Sequence, residues 1–304
     1  MRRLAKALGA PEADCGTAGL KDKASVSRQQ VSLPAPATPE AALALQLDGV
    51  RVLAAARHGN KLKTGHLRGN RFVLVVRDLV VPPDEASRRA EAVLARLERP
   101  PGVPAWYGEQ RFGVDRRNIE LGRRYLAGER VPLPPRERRL IVNAVQSELF
   151  NHWLTARLTD GLYARVIEGD LLRRTDSGAV FPTSHPDLDQ LRLDRGEVAP
   201  TGPMFGPSMR TPPEGSLAWR REQTVLEAAG LATSDFARAG KLAEGTRRPA
   251  AFSLLDATCR PLDDALELRF SLPSGGYATV VAAEVMKEGA GDGPALHSTP
   301  DGSH

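Results

Sequence analysis

Asp22 stands between two lysines in the run Ala18-Gly19-Leu20-Lys21-Asp22-Lys23. Opposite charges on both sides favour the ionised carboxylate, and Gly19 permits a tight turn. A carboxylate on such a loop, ahead of an apolar strand, is well placed to act as a catalytic group. The competing reading is a turn aspartate that caps its own backbone. Asn70 and Phe72 lie two apart where a strand begins, so they share one face. A ring and an amide on that face could stack on a nucleobase and bond its edge; a core phenylalanine beside a turn asparagine explains the same pair. Farther along, Ser271-Leu-Pro-Ser-Gly-Gly-Tyr-Ala-Thr279 carries Tyr277 after two glycines, which either lets the backbone approach a ligand or makes an ordinary turn beside a core tyrosine. The segment Gly102 to Gly113 interleaves Trp106, Tyr107, Arg111 and Phe112. Such a mixture suits RNA, where rings stack and guanidinium groups meet phosphate, and it suits a packed loop joining two domains equally well.

Several other chemistries have no counterpart in the chain. There is no GxGxxG, Walker loop, HExxH or GxSxG. The histidines at 58, 66, 152, 185, 297 and 304 are scattered, with no pair at ligand spacing. Cys15 and Cys259 sit in no CxxC or Cys/His cluster, so neither a metal site nor a cofactor is expected.

The elements that must position these residues follow from periodicity. A helix is expected over residues 1–9, stopped by Pro11, and a strand over 26–33 after the Asp22 turn. A loop follows, then a helix from 40 that runs toward 57 with a possible strand at 50–53. Residues 70–79 (NRFVLVVRDL) read as a buried strand, and 84–97 as a helix with acids in its first turn. The longest helix is expected at 136–158, where Ile141, Val145, Leu149 and Trp153 recur every four residues. Short strands fall near 165–172 and 179–182, and a helix near 222–229. Strands follow over 247–259 and 265–272, and 277–286 begins as strand or helix. The tail, 288–304, is rich in Gly, Pro and polar residues and reads as disordered. Helices and strands without strict βαβ order favour an antiparallel α+β fold, with a second module at about 113–247 inserted into the first.

Composition agrees with a soluble protein of one large or two medium domains: 304 residues, 41% hydrophobic and 26% charged. The net charge is only +5, but it is concentrated. Residues 1–72 hold 12 Lys and Arg against 5 Asp and Glu, and residues 109–140 hold 9 Arg against 5 acids. A solvated arginine-rich face and a polyanion-binding surface are both consistent with that distribution. No run of 18 apolar residues and no secretory signal is present, so a reducing, cytoplasmic setting without a membrane span is expected.

Taken together, AGLKDK at 18–23, SRQQVS at 27–32, NRFVLVVRD at 70–78, GVPAWYGEQRFG at 102–113, QSELFNHWL at 146–154, TGPMFGPSM at 201–209 and FSLPSGGYAT at 270–279 resemble the TruD family of tRNA pseudouridine synthases, in order, from about Ala18 to Lys287. The resemblance implies that Asp22 is the catalytic aspartate and that Lys21, Asn70, Phe72 and Tyr277 contact the target nucleoside. It implies a catalytic domain of mixed, largely antiparallel sheet formed by 1–112 and 248–287, and an inserted α+β TRUD domain over 113–247, with tRNA received in the cleft between them. The usual family target is the uridine at position 13 of tRNA. A monomer with no metal is expected. Family members carry some tens of residues before the GLKD turn, which here begins at residue 19. Either the true start lies upstream or this member lacks the early strands; in the second case an open sheet edge and a weakened pocket are expected.

The implied reaction needs no redox partner. The N1–C1′ bond of uridine breaks, the base turns, and C5 joins C1′ while the C5 hydrogen leaves as a proton. An aspartate could attack C1′, attack the ring, or remove a ribose proton. The detached base must be held, and the target must leave its stack, which costs a few kcal/mol. Two other functions compete: an RNA-binding or tRNA-chaperone relative with impaired catalysis, and an unrelated hydrolase that pairs Asp22 with another acid.

Overall fold

In the computed structural model, residues 1–19, 25–63 and 65–287 are described. Asp22 and Lys21 lie outside them, as does the tail 288–304 expected to be disordered. The chain divides into two compact units, residues 1–70 and residues from 71 on.

The first unit is poor in core. It contains helix α1 (Arg2–Ala7), strands β1 (Gly16–Thr17) and β2 (Val31–Ser32) paired antiparallel, and helix α2 (Pro39–Leu43). Among its described residues only Ala5, Ala10 and Gly16 are buried. Two expectations are corrected here. The strand anticipated over 26–33 shrinks to Val31–Ser32, because Val26 is fully exposed. The helix anticipated from 40 toward 57 ends at Leu43. A helix draws most of its stability from packing an apolar face, and the leucines that follow have no core to pack on. Side chains tie the segments instead: Thr38 Oγ1 caps α2 by accepting from the Ala41 amide, and Ser32 Oγ accepts from the Leu62 amide at 2.9 Å.

The second unit begins along strand β3 (Gly69–Val76). After helix α3 (Pro83–Glu98), the short strand β4 (Val103–Pro104) and helix α4 (Arg117–Leu126) comes α5 (Pro135–Thr159), the expected long helix, of 25 residues. Strands β5 (Leu171–Arg174) and β6 (Val180–Pro182), helix α6 (Pro186–Asp194), strand β7 (Val198–Met204) and helices α7 (Leu217–Ala228) and α8 (Thr233–Ala239) follow. The unit closes with β8 (Thr246–Pro249), β9 (Ala251–Phe252), β10 (Leu255–Pro261), β11 (Leu266–Pro273) and α9 (Ala278–Met286). Residues 277–286, ambiguous in sequence, are thus helical.

Two sheets organise it. The order β10-β11-β3 forms one, and β6-β5-β7-β8 the other; β4 pairs with β9. The registered pairs β10–β11, β5–β6, β5–β7 and β7–β8 are antiparallel, which gives the α+β class. Under the first sheet, Leu266, Leu268, Phe270 and Leu272 of β11 pack with Ala90, Leu94 and Leu97 of α3 and Val280 and Val281 of α9. The strand at 70–79 was expected to be buried. Instead β3 alternates, with Phe72, Leu74 and Val76 half-buried and Val73 and Val75 exposed. Phe72, Leu74 and Val76 pack on the core under the sheet while the alternate residues point away from it, so only one face of β3 meets the core. The second core gathers Leu149, Phe150, Trp153 and Leu154 of α5 with Met204, Phe205, Leu226 and Phe236. Proline at the first turn and Glu137 there start α5 favourably. Buried Arg157 of α5 holds Asp170 through Nη1–Oδ1 at 2.9 Å and Nη2–Oδ2 at 2.6 Å.

Candidate active site

Three of the sequence segments singled out above converge within the second unit. The loop at 102–113 is fixed from one side by α5. Asn151 accepts the Tyr107 amide and donates to the Tyr107 carbonyl, each at 3.0 Å. One turn earlier, Ser147 Oγ accepts from Arg111 Nε at 3.2 Å. Residues 147 and 151 share a helix face, so the spacing within QSELFNHWL grips the loop at two points. Gln146 Nε2, on the same stretch, donates to the Phe205 carbonyl at 2.6 Å, which ties in the 201–209 segment. Glu148 accepts from Arg123 at 2.9 Å and Arg116 at 3.3 Å, and Arg116 also reaches Glu109.

Gly102 explains how closely this loop approaches its neighbour strand. Its φ is +102°, and a Cβ there would sit 2.4 Å from the Phe252 carbonyl oxygen. Gly102→Ala is therefore expected to push β4 off β9 and cost more than about 1 kcal/mol. Thermal unfolding of the variant measures this; an unchanged midpoint would show that the loop adjusts freely.

From the other side the loop meets the 271–279 turn. The rings of Tyr107 and Tyr277 stand 6.2 Å apart at 64°, in an edge arrangement. Tyr277 is half-buried, and burial raises its phenol pKa, with Arg111 and Arg248 pulling the other way. Between the two segments lies Arg248, at 8% exposure. Its Nε donates to the Ala105 carbonyl at 2.9 Å and its Nη2 to the Gly275 carbonyl at 3.1 Å. Its Cζ lies 3.9 Å from the Tyr107 ring centroid. Burial lowers the pKa of Arg248.

The sequence-predicted residues are distributed as follows. Phe72 packs on Phe270 at 5.7 Å, against the core under the first sheet. Tyr277 packs on Tyr107. Asn70 is half-buried at the second position of β3. Asp22 and Lys21 fall outside the described residues. Of the loop aromatics, Phe112 is buried at 1% and Trp106 packs against both cores, so for these two the packed-loop reading holds. Arg248 was missed. Its only signal is the Arg247-Arg248-Pro249 run on β8. Alternation sends the two arginines to opposite faces: Arg247 reaches Glu222 at 2.7 Å, and Arg248 reaches Tyr107.

Among the described residues, no group of three or more His, Cys, Asp or Glu could hold a metal ion. No described helix is long and apolar enough to cross a membrane.

The chain as a whole resembles known proteins. The family model described as tRNA pseudouridine synthase D (TruD) matches residues 1–130 and 126–285. A protein named tRNA pseudouridine synthase D from Anaeromyxobacter sp. (strain Fw109-5) is 46% identical over 296 residues, covering 95% of this chain and 82% of the relative. One of the same name from Geobacter metallireducens is 39% identical, covering 96% and 86%. Another, from Thermus thermophilus, is 38% identical, covering 92% and 75%. In fold, the chain superposes on the crystal structure of a Methanosarcina mazei protein assigned as TruD. The TM-score is 0.75 at 20% identity, over 94% of this chain and 84% of that one. With a family match along nearly its whole length and a relative 46% identical over 95% of it, the chain belongs to the TruD family of tRNA pseudouridine synthases.

Proposed function

We propose that this chain converts a uridine of tRNA, the one at position 13, to pseudouridine. Asp22 is the catalytic carboxylate, and Lys21, Asn70, Phe72 and Tyr277 contact the target nucleoside. The observation that carries the reading is the family match across 1–285, which includes every one of these positions. The close packing of the 102–113 loop with the Tyr277 turn supports it further. The division into a catalytic domain of 1–112 with 248–287 and an inserted domain of 113–247 belongs to the same proposal, as do a monomeric state and a cytoplasmic setting.

The chemistry requires that the freed base stay in place between cleavage and rejoining. Rings that hold its face and an amide that bonds its edge would serve that need. Basic surface would bind the phosphates and offset the cost of unstacking the target.

The direct test follows the C5 hydrogen. Transfer RNA tritiated at uridine C5 should lose tritium to solvent as the new C–C bond forms. Release that stays at background with substrate tRNA and excess protein would refute the proposal. Phe72→Ala is expected to slow release about tenfold or more by loosening the base, measured well below the variant's unfolding temperature. Wild-type rates would mean that Phe72 serves only the core beside Phe270.

A further inference from the structure

Arg248 is an expensive residue to bury. A guanidinium removed from water loses hydration that an apolar side chain would never have had. Among the described residues, no carboxylate forms an ion pair with it. Its described partners include two main-chain carbonyls and three aromatic faces: Tyr107 at 3.9 Å, Phe252 at 5.0 Å and Phe150 at 5.4 Å. A methionine would fill this space with less desolvation. The planar fork does something methionine cannot, bonding two carbonyls from segments about 170 residues apart, Ala105 and Gly275. Gly275 has φ of +93°, and in that turn its carbonyl accepts from Arg248 Nη2 at 3.1 Å. Two residues later the same turn sets down Tyr277, whose ring leans on the Tyr107 ring that Arg248 stacks against.

We propose that Arg248 is a positioning residue for Tyr277, locking the 273–277 turn and the Tyr107 ring into one rigid support for the target base. The inference rests on the reading of Tyr277 as a nucleoside contact. It makes Arg248 a determinant of turnover that acts through Tyr277 and touches no substrate.

A kinetic double-mutant cycle tests it, using the full chain and C5-tritiated tRNA below the unfolding temperature of every variant. Arg248→Met is expected to lower kcat about 10–100-fold while KM for tRNA stays within about threefold. Arg248→Lys, which keeps charge but loses the fork, should recover little of that loss. In a Tyr277→Leu background, Arg248→Met should lower kcat by less than about threefold, because the residue it positions is already gone. Losses that multiply fully in the double variant, or a lowered unfolding temperature with unchanged kcat, would overturn the inference while leaving the activity intact. Should Arg248→Met fail to fold, Arg248→Lys carries the same cycle. No tritium release from the wild-type chain would overturn the pseudouridylation reading itself, and the role of Arg248 with it.

Discussion

Asp22→Asn is expected to abolish tritium release from C5-labelled tRNA while leaving tRNA affinity within about threefold of the wild type. The substitution removes one negative charge and keeps the size of the side chain. In each route open to the reaction (attack on C1′, attack on the ring, removal of a ribose proton) the carboxylate supplies an electron pair that an amide supplies poorly. The loss should therefore appear in kcat, by at least about a thousandfold, corresponding to about 4 kcal/mol of transition-state stabilisation. Docking is different. Affinity for a polyanion comes from cations meeting phosphates, and deleting an acid between Lys21 and Lys23 cannot weaken that attraction. Binding followed by fluorescence anisotropy, beside tritium release, separates the two. Equal losses in both would move Asp22 from chemistry to folding or docking. Wild-type release by the variant would remove it from the mechanism.

The second large effect is on stability. Arg157→Met should destabilise the protein by about 3–5 kcal/mol. Arg157 and Asp170 are exposed to 1% and 2% at the side chain. The guanidinium makes a forked pair with the carboxylate, and it also donates to the Leu162 carbonyl at 3.0 Å and to the Arg165 carbonyl. Asp170 further accepts the Ile167 amide at 2.9 Å. Removing the arginine strands a buried carboxylate and takes its donor from the Arg165 carbonyl, while the Leu162 carbonyl keeps the Arg165 amide at 3.2 Å. Replacing Asp170 as well, by Leu, should restore part of the loss, because an apolar pair removes the uncompensated charge. Urea unfolding reads both effects as shifts in midpoint. A shift below about 1 kcal/mol for the single variant would mean that water or a rearranged loop satisfies Asp170. The pair matters to function because Arg157 sits on α5, which presents Ser147 and Asn151 to the 102–113 loop.

Much of this architecture was legible beforehand because its causes are local. The four-residue recurrence from Ile141 to Trp153 has one solution, a helix with a buried stripe, and α5 runs one residue beyond the expected span at each end. Acids at 84 and 85 and the periodicity after them place α3 equally well. Where local signal and packing diverge, the outcome differs. Leu45, Leu47 and Leu53 carry helix or strand propensity, but their unit offers them little core; Leu45 and Leu53 form neither element, and Leu47 makes only an isolated antiparallel bridge with Val50. β7 went unread because Val198-Ala-Pro-Thr-Gly-Pro-Met204 has two prolines, a glycine and no alternation. Burial of all seven residues between β5 and β8 is what makes it a strand.

The sequence by itself determined the family, the order of its motifs and the candidate residues Lys21, Asp22, Asn70, Phe72 and Tyr277, because side-chain chemistry and spacing are written in one dimension. It also determined which aromatics and arginines lie in the 102–113 loop. Only the tertiary structure decided what those side chains touch. It turned Phe112 and Trp106 inward, set Phe72 on Phe270 and Tyr277 on Tyr107, and placed Arg248 between segments far apart in the chain. The physical reason is that a buried guanidinium is defined by the carbonyls and rings around it. Those belong to residues 105, 107 and 275, and no local pattern near 248 refers to them.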